Sequence, residues 1–314
     1  MIRFIGKRLL LSIPVLLGVV FIVFAIMSLT PADPGSLILG IRATPEAVAK
    51  LNHELGFDKP FFERFFLYIK DIVLHFDFGV SYMNRKPCLQ EALSYFPVTL
   101  QIAALSMFFS TVIGVSLGVF AAVKQYSLFD TFFSVMAMLF AAIPGFWVGM
   151  MLILIFSLTL GLLPPSGVAS WDCYILPTAT LVFGSSAELF RLTRAQMLEE
   201  IRQDYTRTAL AKGAPNRVMI WRHALKNALL PVITSIGNSF GGLLGGAIIV
   251  ETIFGMPGIG TYMLKHILAK DVPVVMTCTL ILAAMFYFII LLVDIAYALI
   301  DPRIRAQYAR KRGV

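Results

Sequence analysis

Five stretches without a single charge constrain this chain more than anything else in it: residues 9–29, 98–123, 131–171, 227–250 and 272–293. Each exceeds the ~18–20 residues that a helix needs to cross a bilayer. In lipid every backbone amide and carbonyl must be paired within its own segment, so spans of this kind are helices. A weaker run, 175–187, ends at Glu188 and reaches across if its helix continues past Phe190. The third stretch is too long for one span. Leu163-Pro164-Pro165-Ser166-Gly167 interrupts it, so helix 3 is expected to end near Leu162. The pattern predicts an all-α integral membrane protein with six spanning helices. Composition agrees: 14% of the 314 residues are charged, against ~25% in soluble domains.

Charge sets the orientation. Lys and Arg number three before helix 1, seven in 30–96, one between helices 2 and 3 and none between helices 3 and 4. Eight more lie in 191–226, two between helices 5 and 6, and five beyond helix 6. With both termini in the cytoplasm, the positive short segments all face inward and the outer short loops hold only two such charges, as the positive-inside rule requires. Segment 30–96 is exempt, because long segments cross largely regardless of charge. The net charge of +8 therefore reads as topology, not as a nucleic-acid footprint. The start has the basic and apolar parts of a secretory signal. Its apolar run outlasts the usual ~7–15 residues and no small-x-small site precedes Pro31, so we expect a retained anchor.

The outer segment has structure of its own. Thr44-Pro45-Glu46 predicts a helix start, with a hydroxyl N-cap, proline at the first position and an acid in the first turn. Val48, Leu51 and Leu55 share one face, and Gly56 ends that helix. A second helix is expected after Pro60, its apolar face carrying Phe61, Phe65, Ile69 and Val73, with Phe62 and Phe66 beside it. These aromatics lie on the bilayer surface, cap the mouth of a cavity, or pack within a small outer subdomain. Cys88, Cys173 and Cys278 show no metal spacing; Cys88 and Cys173 would both lie outside, and nothing in the spacing decides whether they pair. Small residues recur at helical spacing: Gly237, Gly241 and Gly245 in helix 5, Gly114 and Gly118 in helix 2, Gly145 and Gly149 in helix 3. Such faces let helices approach closely in lipid.

Catalytic and nucleotide-binding motifs are missing. There is no G-x-x-x-x-G-K-[ST], no H-E-x-x-H and no G-x-S-x-G. We therefore expect no enzyme, no bound metal and no cofactor on this chain. Within the spans, Glu188, Asp294 and Asn238 are the candidates for a pathway or gate. A local pair with Arg191 accounts for Glu188 equally well. No internal repeat supports an inverted-repeat carrier.

The charged segment 191–226 is the one long polar insertion between spans. Residues 192–205 read as a continuation of helix 4, and 206–212 as good helix formers. Gly213-Ala214-Pro215 is a turn, and 218–228 reads as a second helix, basic and partly apolar. It presses side chains into a groove on a soluble partner or lies on anionic lipid; physics alone favours neither.

At this loop the chain resembles the membrane subunits of ATP-binding-cassette (ABC) importers, whose loop carries E-A-A, three residues, G, nine residues and I-x-L-P. Arg207-Thr208-Ala209, Gly213 and His223-Ala224-Leu225-Lys226 align with it, and Ala209, Gly213 and Leu225 match. The glutamate, first alanine, isoleucine and proline do not. Those departures are similar to the variant R-T-A-x-A-K-G…H-A-L-[RK]-N-A of the peptide/nickel permease subgroup. The resemblance runs on through Pro31-Ala32-Asp33-Pro34, Leu55-Gly56-Phe57-Asp58-Lys59-Pro60, Phe78-Gly79-Val80-Ser81, Glu251-Thr252-Ile253-Phe254, Asp271-Val272-Pro273 and Asp301-Pro302-Arg303. It looks like the first of the two permeases in such an importer.

The resemblance implies the type I importer permease fold and four regions: 1–30 with helix 1, an outer helical segment 31–96, a core 97–305 and a basic cytoplasmic tail 306–314. It implies a second, similar permease making a heterodimer, two ATPase subunits carrying ATP and Mg, and an extracytoplasmic solute-binding protein. The setting is a bacterial or archaeal inner membrane with lipid as the solvent. Thr208, Ala209, Lys212, Gly213, Ala214, Pro215 and Leu225 would make the ATPase contact, within 206–226. The substrate class implied is di- or oligopeptide, with nickel or glutathione as family variants. A stand-alone secondary carrier or channel is the rival from another class.

Overall fold

The structure, a computed structural model, describes residues 2–29, 34–40, 43–54 and 56–300. The Pro31-Ala32-Asp33 stretch, Leu55 and the segment 301–314 lie outside the described residues. Among the described residues, five helices are long and apolar enough to cross a bilayer, or six if the bent pair Leu128–Ala142 and Gly145–Thr159 counts as one span. In order, α1 (Ile2–Leu29) is followed by the short helices α2 (Pro34–Leu39), α3 (Pro45–Glu54) and α4 (Phe61–Lys70), the last continued by a π-helical turn, Asp71–His75. Then come α5 (Cys88–Val123), α6 (Leu128–Ala142) and α7 (Gly145–Leu152), the last extended by a π-helical stretch, Ile153–Thr159. The remainder is α8 (Ile175–Ile201), α9 (Asp204–Ala211), α10 (Asn216–Val218), α11 (Leu225–Ile253), α12 (Ile259–Leu268) and α13 (Val272–Ile300).

Two expectations need correction. Helix 3 is not one straight rod: α6 and the α7 stretch meet at 100°. Pro144 disfavours the helical conformation in the residue before it, and Ile143 is extended, with φ −83° and ψ 127°. Nor is 218–228 a separate helix. The chain is helical without interruption over Asn216–Ile253, so these residues begin helix 5. Helix 4 correspondingly stops at Ile201, short of Tyr205. In the outer segment, α3 starts where expected, with the Ala47 amide donating to the Thr44 hydroxyl at 3.3 Å, but it buries no residue. All three cysteines are buried free thiols.

The chain packs as two compact units. In the unit made of Thr99–Met256 and Phe288–Val314, α8 is the axis against which α6, α7 and α11 pack, and α5 meets it at two glycines. The α5 glycines set the approach. A Cβ on Gly114 would stand 2.7 Å from the Ser186 carbonyl, and one on Gly118 would stand 2.8 Å from the Phe190 carbonyl. Only hydrogen fits there, and the backbones touch. Asp130 then locks α6 to α8. Its buried carboxylate accepts from Arg194 Nε at 2.5 Å and Arg194 Nη2 at 2.8 Å, a bidentate pair, and from the Tyr126 amide at 3.0 Å.

The other unit comprises Met1–Val98 and Pro257–Tyr287. Val20, Phe24 and Met27 of α1 form a core with Phe65 of α4 and with Val272, Val275 and Met276 of α13. Its tightest polar point is Asp271, fully buried before α13. Asp271 accepts from the Ser81 hydroxyl at 2.5 Å and from the Tyr82 and Met83 amides at 3.1 and 3.3 Å, and lies 3.0 Å from His266 Nδ1. One carboxylate thereby gathers the 81–83 loop and the turn after α12. Burial alone would raise its pKa. The donors from His266, Ser81, Tyr82 and Met83 outweigh burial and hold it below the usual carboxylate value.

Gly118→Leu should lower stability by ~1–3 kcal/mol or prevent assembly, seen as a lower unfolding temperature in detergent. Gly242→Ala, where the added carbon meets open space, should change little. The Asp271 carboxylate is depressed in the fold, so its stabilisation is present above the unfolded value of 3.8 and fades as pH falls through the lower folded value. Asp271→Asn should cost ~1–3 kcal/mol at neutral pH and flatten that acid limb in thermal unfolding followed against pH.

Candidate functional site: the polar loop between α8 and α11

Local chemistry ends α8 at Ile201 and turns the chain. The Arg202 and Gln203 amides donate back to the Glu199 and Glu200 carbonyls at 3.2 and 3.3 Å. Thr206, fully buried, donates its hydroxyl to the Ile201 carbonyl at 2.9 Å and the Gln203 carbonyl at 2.5 Å. This satisfies carbonyls that the helix end would leave open. Asp204 then sits in the first turn of α9, where an acid suits the helix dipole.

The far end of α9 closes on glycine. Gly213 has φ +85°, a conformation that carries a penalty for any side chain. Its amide donates to the Leu210 carbonyl at 2.9 Å, and the Ala214 amide donates to the Ala209 carbonyl at 3.1 Å. Pro215, extended at ψ 147°, caps α10. Thr208, Ala209, Lys212, Gly213, Ala214 and Pro215 thus come together in one turn of chain. Thr208, Lys212, Gly213 and Pro215 are exposed; Ala209 and Ala214 are half-buried. No atom lies within 4 Å of the place a Gly213 side chain would occupy. Leu225 is not part of this surface. It packs inward against the cluster of Val119, Ala122, Met197, Met219, Ala224 and Ala228.

That cluster roots the turn in the bundle, and a hydrogen-bonded clamp ties it down. The Tyr205 hydroxyl donates to the Glu200 carboxylate and accepts from the Asn227 amide at 3.0 Å. The last turns of α8, the start of α9 and the start of α11 are joined through one phenol. Burial and the Glu200 carboxylate push that phenol up to about 12. A small polar surface is therefore held on a rigid corner, which suits a contact that must transmit displacement. Tyr205 and Glu200 were not singled out from sequence, and Asn227 entered only as part of the H-A-L-[RK]-N-A pattern. An aromatic at a helix start with an amide 22 positions on gives no local signal.

The pathway candidates are dispersed. Glu188 and Asn238 are exposed on α8 and α11, and Asp294 is half-buried on α13. Among the described residues Glu188 makes no ion pair with Arg191, and Arg194, three residues after Arg191, pairs with Asp130 of α6. Asn238 falls on an exposed stripe of α11 with Thr234, Gly242, Gly245 and Thr252. The glycines of helix 5 therefore divide. Gly237 and Gly246 abut Val293 and Leu181, whereas Gly242 and Gly245 face open space. Glu251, which sequence reasoning treated only as part of a motif, is fully buried in α11 and accepts from the Thr99 hydroxyl.

Comparison with known proteins fits this arrangement. Residues 114–306 match the family described as binding-protein-dependent transport system inner membrane component. Residues 1–103 match the N-terminal part of such membrane components. The dipeptide transport system permease protein DppB of Alkalihalophilus pseudofirmus is 38% identical over 97% of this chain and 100% of its own length. The glutathione transport system permease protein GsiC of Salmonella typhimurium is 39% identical over 97% of this chain and 99% of its own. In fold, the chain is similar to a subunit of the MetNI methionine ABC transporter in an inward-facing conformation. The TM-score is 0.57 and the identity 20%, over 69% of this chain and 99% of that one. A chain of an amino acid ABC transporter with histidines aligns with TM-score 0.50 at 18% identity, over 68% of this chain and 94% of its own.

This chain belongs to the binding-protein-dependent transport system inner membrane components, the permease subunits of ABC importers. It is a multi-pass translocation subunit of a cell membrane and not an enzyme; ATP hydrolysis falls to a separate subunit. A carrier or channel working alone is excluded by that membership.

Tyr205→Phe keeps the ring and removes both clamp bonds. It should cost ~1 kcal/mol and speed amide hydrogen exchange in α9 about fivefold, read by mass spectrometry, with the rest of α8 and α11 unchanged.

Proposed function

We propose that this chain is the first permease of a peptide importer of the di- and oligopeptide class. Its full-length similarity to a dipeptide permease and to a glutathione permease supports that reading. Glutathione is itself a tripeptide, so both relatives are named for short peptides. Import of glutathione is the second reading, on the same similarity. Nickel import rests on the loop resemblance alone.

In this reading a second, homologous permease forms a heterodimer with the chain, two ATPase subunits bind ATP and Mg below, and a solute-binding protein delivers peptide from outside. Both termini and the 202–215 turn are cytoplasmic, in a bacterial or archaeal inner membrane. The segment 31–96 is the outer element, 97–305 the transport core and 306–314 a basic tail. The exposed turn of Thr208, Ala209, Lys212, Gly213, Ala214 and Pro215 docks on the ATPase, with Leu225 anchoring it from beneath. Closure of the ATPase pair displaces the turn, and the Tyr205 clamp passes that displacement to α8 and α11. This is rigid-body switching at a packed interface. Glu188, Asn238 and Asp294 are assigned to the pathway or its gate.

The observation that carries the docking assignment is the unfilled, exposed surface around Gly213. Gly213→Trp would place a bulky ring there. Uptake in reconstituted vesicles should fall about tenfold or more, as for loss of ~1.4 kcal/mol of contact. Stimulation of ATP hydrolysis by loaded binding protein should disappear, while membrane insertion persists. Unchanged coupling would count against the docking site.

A further inference from the structure

The outer segment carries a large apolar surface that the protein's own fold leaves uncovered. In α4 and the turn after it, Phe62 is 62% exposed, Phe66 67%, Val73 71% and Phe76 73%. These residues are not scattered. At helical spacing Phe62, Phe66 and Val73 form one stripe. Beside it on one flank runs the packed stripe of Phe61, Phe65 and Tyr68. On the other runs a polar stripe of exposed Glu63 and Lys70, with Lys59 bonded to Glu63 at 2.9 Å. The helix thus has a face on protein, an open apolar face and a narrow charged edge, beyond which Leu67 and Leu74 are also exposed.

The packed face fixes the depth. Phe61 meets Phe21 and Phe24 at ring-centroid distances of 5.8 and 5.4 Å, and Phe65 meets the same two at 5.2 and 5.5 Å. Both partners belong to the spanning stretch Ile5–Leu29. At ~1.5 Å per residue, Phe24 lies ~8 Å and Phe21 ~12 Å before the end of that stretch. Since the stretch is somewhat longer than the ~30 Å hydrocarbon layer, the α4 contact falls roughly 5–10 Å inside the layer's edge. That is the depth at which amphipathic helices rest in an interface. The neighbouring surface of α1 agrees: Ile22, Ile26 and Leu29 are exposed apolar residues of the span, so lipid already borders this part of the unit. An uncovered apolar area of this size in water would be a liability; at this depth acyl chains cover it.

We propose that α4 and the turn Asp71–His75 lie in the bilayer leaflet reached by the C-terminal end of α1. Phe62, Phe66, Val73 and Phe76 enter the acyl chains, and Lys59, Glu63 and Lys70 stand among the headgroups. Of the three settings that the sequence leaves open for these aromatics, this selects the membrane surface over a cavity mouth or a closed outer subdomain. It holds for either orientation of the chain in the membrane, so it stands apart from the transport reading.

The test uses the assembled transporter in vesicles of phosphatidylethanolamine and phosphatidylglycerol. Phe66→Cys and Lys70→Cys each receive a nitroxide label, with the unsubstituted protein as background for its buried thiols. The label at 66 should relax several-fold more with oxygen than with a water-soluble nickel chelate, and the label at 70 the reverse. Equal access of the chelate to both would overturn the assignment in favour of a water-filled mouth. Protection of position 66 from both agents would overturn it in favour of a protein cover. Val73→Cys supplies the same comparison should the position-66 variant not assemble.

Discussion

Close approach of backbones at α8 is the constraint on which the larger unit rests. In lipid there is no hydrophobic force to press one helix against another, because acyl chains are as apolar as leucine. Association depends instead on packing area, and area grows when no side chain holds the backbones apart. Gly114 and Gly118 supply that on α5, while Gly149 on α7 leaves room for the Phe254 and Thr180 side chains. The bidentate Asp130–Arg194 pair follows from the same geometry. Breaking one partner of such a buried pair leaves a charge without a counterion, which costs more than the pair stabilises. Small residues bring the helices together, and one ion pair sets their register.

The turn around Gly213 inherits its stiffness from this bundle. Met197, Val119 and Ala122 belong to α8 and α5, and they pack with Met219, Ala224 and Ala228 at the root of helix 5. A displacement applied at Gly213 therefore meets a packed core within two turns of helix. Continuity of Asn216–Ile253 matters here. A separate helix lying on the membrane would swing independently, whereas the root of a spanning helix cannot move without moving the span.

Much of the architecture was legible in residue order, and the failures have specific causes. The spans were visible because charge is nearly excluded from hydrocarbon. The bend at Pro144 was not. Pro14, Pro97 and Pro231 all lie inside unbroken helices, so a proline in an apolar run does not by itself announce a break. What distinguishes Pro144 is an extended Ile143 before it and a glycine after it. The boundary at Ile201 was read four residues too far, because Arg202, Gln203 and Asp204 are acceptable helix residues. The buried Thr206 hydroxyl, bonding back to Ile201, stops the helix instead. At the candidate site, Gly213 and its neighbours were read correctly as a turn, while Leu225 packs inward from it.

Alternation of apolar and charged stretches, being a matter of solvation cost per residue, determined by itself that this chain is a helical membrane protein. The spacing of Ala209, Gly213 and Leu225 pointed to its family. Folding in three dimensions decided which polar groups meet. Asp271 finds Ser81 across 190 positions, Thr99 finds Glu251 across 152 and Asp130 finds Arg194 across 64. No local pattern encodes such pairs. Each carboxylate enters a low-dielectric interior only where donors from distant segments already converge, and that convergence exists only once the helices have packed.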